Sequence, residues 1–420
     1  MSGIVQNNIL RSSGTIAVSA AGLNWSDTII TGSTATVEAG NGYWINTTSN
    51  TCTITLPSSA ESGDQIVLID YARTWGTNKI IIDSNGLNYQ GNPDTYTVEY
   101  TTDGQSLNIV YSDATKGWLP LEDDVVADEP VAPPTQKAIF GYGYTGSRVS
   151  MTNLVNSSGV VATDVSGVGT ARQQLAAAGY GGDKAIFGFG YSGSYTAITN
   201  LVNNSGVVAT DTTGVGTSRG TLTATGYGSD KAIFGYGTTG SDSSLTNLVS
   251  NLGVVATDTT GVGTARNYLA ATGYGSSGQA LFGYGRTGSN LSLTNLVSNV
   301  GVVATDTTGV GTGRHSLAAA SYGTDKAIFG YGESGSKVSM TNLVSNTGIV
   351  ASDVSGVGTA RQNLAAASYG GDKSIFGYGL NGGYASMTNL VSNSGVVATD
   401  VTGVGTGRSQ LAAAGYSTSA

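Results

Sequence analysis

The chain has 420 residues, of which 64 are glycine, 6 proline, 1 cysteine and 1 histidine; only 11 % are charged, and the net charge is −9. Single copies of Cys and His exclude a disulfide framework and any metal site built on paired His or Cys ligands, and no run of about 18 apolar residues is present to span a bilayer. The acidity sits in the front: residues 1–136 hold 4 Lys/Arg against 15 Asp/Glu, while residues 137–420 hold 14 against 12, too balanced for a nucleic-acid footprint. The opening MSGIVQNNILRSSG lacks the basic-then-apolar layout of a secretory signal. After it, alternation with period two predicts a strand over 51–56, and further strands are expected at 65–71, 79–83, 96–100 and 107–111. Ser62-Gly63-Asp64, Ser84-Asn85-Gly86 and Thr102-Asp103-Gly104 read as the turns between them. Residues 1–120 are therefore expected to form an antiparallel β-sandwich or jelly roll.

Residues 121–136, LEDDVVADEPVAPPTQ, read as an acidic linker, extended and semi-rigid through Pro130, Pro133 and Pro134. From Lys137 the chain repeats itself: KAIFGYG at 137 returns, slightly altered, at 184, 231, 279, 326 and 373. Each unit carries four strand-like segments between Gly, Ser, Asn and Asp, in the first unit at 138–140, 151–155, 160–163 and 172–180. Four short strands repeated six times predict a six-bladed β-propeller over 137–420. The glycines then serve tight turns and close backbone approach.

The recurrent Arg-x-x-LAAA segment followed by KAIFGYG resembles the kelch family of propellers, with Gly-aromatic-Gly (Gly141-Tyr142-Gly143) where kelch repeats have adjacent glycines and without their tryptophan. The resemblance implies that the Arg-LAAA segment is the innermost strand. The first and last segments of the repeat array then share one blade and close the ring, removing open sheet edges. The phrases GYWINTTSNTCTITLP (42–57), SGDQIVLIDYARTWGTNKIII (62–82) and YSDATKGW (111–118) resemble a domain of tailed-bacteriophage virion proteins, frequent in tail fibres, including those of phages of cyanobacteria. That resemblance implies a homotrimer that joins other virion proteins through residues 1–120, with the opening segment as an attachment arm, and a location on the virion.

The six copies also serve as an internal comparison. An Asp stands eight residues before an Arg in each: Asp164/Arg172, Asp211/Arg219, Asp258/Arg266, Asp306/Arg314, Asp353/Arg361 and Asp400/Arg408. With Asn153 and its equivalents, these read as structural pairs tying strand to neighbouring blade rather than as a ring of ligand contacts. Two positions after FGYG vary freely: Tyr144, Tyr191, Thr238, Arg286, Glu333, Leu380, and then Arg148, Tyr195, Asp242, Asn290, Lys337, Tyr384. A second variable spot follows each Arg and includes Gln173-Gln174, Asn267-Tyr268 and His315-Ser316. Strand order places both spots at one end of the propeller. Tyr144, Arg148, Tyr191, Tyr195, Asp242, Tyr268, Arg286, Asn290, Glu333, Lys337 and Tyr384 are the candidate ligand-binding residues, because aromatic, amide and hydroxyl groups suit recognition surfaces. The third variable stretch, Asn156-Ser157-Ser158 and its equivalents, is expected on the opposite face, limited mostly to small polar residues.

The functional expectation is a non-enzymatic tail-fibre or virion-surface protein whose propeller binds a host-surface receptor, a glycan or a protein, with no cofactor or metal, no nucleic-acid partner and no membrane insertion. A head-decoration, collar or baseplate role without receptor binding is the alternative. A polysaccharide depolymerase fits less well: glycoside hydrolysis needs two carboxylates, and within 137–420, outside the repeated Asp sets, only Asp242 and Glu333 remain.

Overall fold

The computed structural model describes residues 23–121 and 135–419. The expected attachment arm and most of the acidic linker lie outside them. Every regular element among the described residues is a strand. The chain divides into two compact units between Pro133 and Pro134.

The first unit contains β1 (Asn24–Ile30), β2 (Thr34–Thr36), β3 (Asn41–Ile45), β4 (Cys52–Thr55), β5 (Gln65–Asp70), β6 (Ile80–Asp83), β7 (Val98–Tyr100), β8 (Ser106–Tyr111) and β9 (Trp118–Pro120). A five-stranded sheet runs β1-β3-β5-β8-β9 and a four-stranded sheet β2-β4-β6-β7. The expected strands are present, but the expected antiparallel pairing is not general. The β1/β3, β3/β5, β2/β4 and β4/β6 pairs are parallel, and only β5/β8, β8/β9 and β6/β7 are antiparallel. Alternation and turn signals specify where strands begin and end, not which strand they meet. Here each of β1–β5 passes to the other sheet, so the parallel neighbours are two steps apart along the chain. Ile45, Ile54, Ile66, Leu68, Ile82 and Ile109 belong to one buried cluster, with Trp75 and Trp118 fully enclosed. Asp70 is buried and accepts backbone hydrogen bonds from Thr74, Trp75 and Gly104 at 2.8–3.2 Å, fixing two loops by one carboxylate.

The second unit consists of six three-stranded antiparallel sheets. Their middle strands are the KAIFGYG segments, for example Lys184–Gly188. Each is flanked by an inner strand (Ala176–Tyr180) and an outer one (Thr199–Val202). Thr135 and Gln136, assigned from sequence to the linker, belong to this unit: Gln136 pairs with Ser417, and the Thr135 and Ser417 hydroxyls are 3.0 Å apart. The first and last strands share a sheet, with Gln136–Gly141 paired antiparallel to Ala412–Ser417. The third expected segment of each repeat, 160–163 in the first, is not a continuous strand. It touches the outer strand at isolated bridges such as Val155↔Val161 and Thr152↔Val165, and the Asn153 side chain reaches across to the Ala162 carbonyl between them.

The inner strands Ala176–Tyr180, Thr223–Tyr227, Ala270–Tyr274, Ala318–Tyr322, Ala365–Tyr369 and Ala412–Ser417 contact one another in sequence, and the last contacts the first. Two cycles of backbone hydrogen bonds repeat that order at either end of these strands. Near their start, Gln174 N–H donates to Gln410, Gln410 to Asn363, Asn363 to Ser316, Ser316 to Tyr268, Tyr268 to Thr221, and Thr221 back to Gln174, at 2.8–3.0 Å. At the far end, the hairpins 181–183, 228–230, 275–278, 323–325, 370–372 and 417/136 are joined the same way at 2.7–3.0 Å. Small side chains permit this approach: the inner strands present Ala177 and Gly179, and their equivalents, toward one another.

Candidate binding face

The invariant residues form a buried framework. Arg172, Arg219, Arg266, Arg314, Arg361 and Arg408 are 0 % exposed. Arg172 donates through Nε to the Phe189 carbonyl (2.9 Å), through Nη1 to the Thr170 carbonyl (3.1 Å) and through Nη2 to Asn200 Oδ1 (2.7 Å), and its guanidinium lies 4.3 Å from the Tyr142 ring centre. Burial is the main influence on all six arginines and lowers their pKa, that of Arg219 to about 10, so each stays charged at neutral pH. None is available to a ligand.

The carboxylate partners differ from the expected ones. Asp164 does not pair with Arg172, eight residues on. It accepts from the backbone and hydroxyl of Thr406 (2.9–3.2 Å backbone, 2.6 Å hydroxyl) and stands 3.9 Å from Arg408. Likewise Asp258 meets Thr217 and Arg219, and Asp306 meets Thr264 and Arg266. The clamp closes within one sheet, from the outer segment to the approach of its own inner strand. The repeat spacing read along the chain had shifted that partner by one sheet.

Gly-aromatic-Gly has a geometric cause. A Cβ on Gly141 would lie 2.6 Å from Cζ of Phe187 in the next sheet, and Gly143 has φ +112°. Between them Tyr142 has φ 61°, an unusual conformation for a bulky residue that aims its ring sideways. It meets Phe187 at a tilt of 60° with ring centres 5.1 Å apart, beneath Arg172. Five equivalent tilted or edge-on pairs, the last between Tyr378 and Phe140, complete the cycle.

The variable residues assemble into six rows of three, joined by backbone pairing: Ser409-Tyr144-Arg148, Gln173-Tyr191-Tyr195, Gly220-Thr238-Asp242, Asn267-Arg286-Asn290, His315-Glu333-Lys337 and Gln362-Leu380-Tyr384. All eleven candidate residues are in these rows except Tyr268, which is next to Asn267. Side chains link neighbouring rows. Tyr384 meets Tyr144 edge-on at 6.0 Å, Arg148 lies 4.8 Å over the Tyr191 ring, and Tyr191 meets Tyr195 at 5.4 Å. Elsewhere Asn267 donates to Asp242 (2.6 Å), and His315 Nδ1 is 2.9 Å from Asn290 Oδ1. The face therefore has an aromatic sector, spanning Tyr384 to Tyr195, and a polar sector, spanning Asp242 to Lys337. Burial and the Arg286 charge lower the His315 pKa against the opposing pull of Glu333.

Apart from the clamp residues and the Lys and Asp of the inner hairpins, the charged residues of the second unit are Arg148, Arg286, Lys337, Asp242 and Glu333; all five are in the six rows. Tyr268 differs in placement from the others. Its backbone belongs to the hydrogen-bond cycle, and its side chain, held by Gln174 at 3.4 Å, lines a cavity of about 80 Å³ near the start of the inner strands. Burial, foremost, raises its pKa.

The far end of the inner strands carries a larger cavity of about 420 Å³, bordered by Lys137, Lys184, Lys231, Tyr180 and Tyr227. The 156–159 turn and its equivalents neighbour these hairpins, as the close approach of Asn251 O and Asn299 O to Gly181 and Gly228 shows. Two of these turns depart from the expected small polar composition: Leu252 is 77 % and Val300 70 % exposed. Among the described residues no group of His, Cys, Asp and Glu is placed to hold a metal ion. No protein-family model matches the chain, and no curated protein is significantly similar to it.

Proposed function

We propose that the second unit is a six-bladed, kelch-like β-propeller, the first a mixed two-sheet sandwich, and the whole a non-enzymatic surface protein of a tailed-phage virion that binds a host-surface glycan. The cyclic contacts of the inner strands and the shared first-and-last sheet support the propeller. One observation carries the binding reading. Residues that vary between repeats gather in six adjoining rows, whereas the invariant charged residues are consumed by internal clamps. In the aromatic sector, Tyr144, Tyr191, Tyr195 and Tyr384 offer flat apolar surfaces edged by hydroxyls, the complement of a sugar ring. In this reading the first unit assembles the protein as a trimer and attaches it, so that weak sites act together.

The arrangement of acids favours binding over hydrolysis. Asp242 accepts from Asn267, and Glu333 belongs to a sheet two places away, so the two do not face one another across a bond. The test is adsorption of purified protein to host cells and to their extracted polysaccharide. Replacing Tyr144, Tyr191, Tyr195 and Tyr384 together by Ala is expected to abolish binding with folding intact. Undiminished binding by that variant refutes the site. Exposed Leu252 and Val300 favour a second reading, a structural component held in the particle by protein contacts on the opposite face. Imaging the particle with the protein labelled separates the two: a chain buried in the particle with its variable face covered supports the second.

A further inference from the structure

We propose that the outer face of the five-stranded sheet in the first unit is the surface through which copies of this chain join; the proposal gives a surface to the trimer suggested above and rests on that assembly role. Register separates the two faces, because paired residues point to the same side of a sheet. Tyr43 and Leu68 pair on the side of the buried cluster. On the other side Trp25 pairs with Gly42 and Ile29 with Trp44, Trp44 pairs in turn with Ile69, and Val110 pairs with Leu119. No residue paired on this side is charged, and its two amides are joined to one another, Gln65 donating to Asn108 at 2.8 Å. Asp27 lies in the irregular stretch of β1 between Trp25 and Ile29, outside that register. The four-stranded sheet is different: its outer side carries the pairs Thr34/Thr53, Thr36/Thr55, Thr55/Asp83 and Ile81/Glu99, as a face toward water should. All nine strands described in the first unit belong to these two sheets, so no strand remains to cover the apolar face. Trp25 is 40 % and Ile29 36 % exposed. Gly42 makes room for the Trp25 indole, since a Cβ there would lie 2.6 Å from the ring, and Trp44 stacks on that ring with centres 4.8 Å apart. The central strand β5, QIVLID, shows no alternation of apolar and polar residues, the pattern of a strand covered on both sides.

The 27 residues of the five strands cover about 430 Å² in projection, at about 3.3 Å per residue and 4.8 Å between strands. Exposed apolar patches of that order mark contact sites. What covers this one has to be flat, apolar and uncharged, and the same face of a second copy meets all three requirements; sheets pack in this way about 10 Å apart. Charge points to the same occupant. Residues 23–121 hold 10 Asp/Glu against 3 Lys/Arg, so copies repel wherever their charged surfaces oppose, and the uncharged face is where that repulsion is least. A basic partner would be drawn to those carboxylates and would gain nothing from Trp25, Ile29 or Val110. The Gln65–Asn108 hydrogen bond lowers the cost of taking both amides out of water. Trp25, broad and fixed in place, is the kind of side chain that anchors such a contact.

The chain carries its own reporter. All four tryptophans are in the first unit, and Trp75 and Trp118 are fully enclosed, so a neutral quencher reaches only Trp25 and Trp44. The experiment follows the full chain through a dilution series, with sedimentation equilibrium reading association and acrylamide quenching of tryptophan fluorescence reading the face. The wild type is expected to associate, and quenching to rise as dilution separates the copies. Ile29→Glu places a carboxylate on the face from an exposed position, and Trp25→Ser removes the anchor without adding charge; each is expected to raise the dissociation constant at least about tenfold with Tm unchanged. Thr53→Glu adds the same charge to the outer side of the other sheet and is expected to leave association as it is. Association with Trp25 and Trp44 still open to acrylamide, variants that associate as tightly as the wild type, or equal loss in Thr53→Glu would each overturn the face and leave the trimer to other contacts. A wild type that stays a single chain overturns the trimer and the second-copy occupant together; if its tryptophans are shielded all the same, the chain's own residues cover the face.

Discussion

Phe189 stands where five other repeats have tyrosine, and Phe189→Tyr is expected to stabilise the second unit. At Tyr142, Tyr236, Tyr284, Tyr331 and Tyr378 the phenol donates to the carbonyl of Val168, Val262, Val310, Val357 and Val404 at 3.0–3.2 Å. By the repeat, the missing acceptor is the carbonyl of Val215. The backbone is already shaped for the substitution: φ is 61° at Phe189 and 61–64° at the five tyrosines. The ring also occupies the same place, 4.6 Å from the Arg219 guanidinium against 4.2–4.4 Å for the tyrosines. A net hydrogen bond contributes about 1 kcal/mol. Val215 is only half-buried, so water serves its carbonyl in part and a gain of about 0.5–1 kcal/mol is expected. For a unit of this size that raises Tm by about 1–3 °C. Scanning calorimetry of wild type and variant gives the measurement, with urea unfolding as the check that the slope m is unchanged. Tyr236→Phe serves as the reciprocal and is expected to lower Tm by a similar amount. If Phe189→Tyr leaves Tm unchanged or lowers it while Tyr236→Phe has no effect, the phenol–carbonyl bond adds nothing beyond ring packing.

Three further outcomes follow from the same framework. Gly141→Ala places a methyl 2.6 Å from Phe187 Cζ and is expected to cost about 1–3 kcal/mol, read as a lower urea midpoint. Deleting 408–420 removes an inner strand, the Arg408 clamp and one member of each backbone cycle; a cooperative transition at the original Tm would refute the closure. Acid should loosen the clamps. Burial pushes Asp164, Asp211, Asp258, Asp306, Asp353 and Asp400 upward, but hydrogen bonds from Thr and Asn, with the nearby Arg, outweigh it, and all six fall below the ordinary 3.8. Near that pH the unfolded chain then holds more protons than the folded one. Their contribution is complete above about pH 4 and is lost as pH falls through the depressed values. Denaturation midpoints measured between about pH 5 and pH 2 should decline, and Asp211→Asn should flatten the decline.

How far the sequence carried depended on whether a feature was local. KAIFGYG and its five returns were enough to place six repeated units; that the first and last segments share a sheet was expected from the kelch resemblance, which makes the Arg-LAAA segment innermost, and the pairing takes in Gln136 as well. β4 to β8 of the first unit were legible in the sequence, whereas β1, β2, β3 and β9 were not expected, and the parallel pairing was not legible either, since the side-chain period of two is the same in both arrangements. The Asp–Arg partnership failed for a related reason. Eight residues along the chain is a shorter path than one sheet width across it, and nothing in the sequence distinguishes Arg172 from Arg408 as the partner of Asp164. The rows of the candidate face were legible as variable positions. The contacts between rows were not, because Arg148 meets Tyr191 and Tyr144 meets Tyr384 across repeats, and such a contact is visible only once both repeats are placed.

The structure also supplies a reason why these positions tolerate variation. Each row is bounded by two residues with positive φ, such as Phe189 (61°) before Tyr191 and Gln174 (59°) after Gln173. Backbone of this kind costs of order 1–3 kcal/mol per residue and persists only where its surroundings over-determine it. The determinants are known on both sides: a tilted aromatic contact beneath the clamped arginine for Phe189, and the six-membered hydrogen-bond cycle for Gln174. Between those fixed points the row backbone is joined by main-chain pairing, Gln173 to Tyr191 and Tyr191 to Tyr195, and the same pairing recurs with Gly220, Thr238 and Asp242, while the side-chain contacts between rows differ from row to row. Because no framework bond uses a row side chain, Tyr can become Thr, Arg, Glu or Leu at constant backbone. Strain is thus confined to the edges of the face and sequence freedom to its middle, a division that allows the face's side chains to change without rebuilding the backbone cycles.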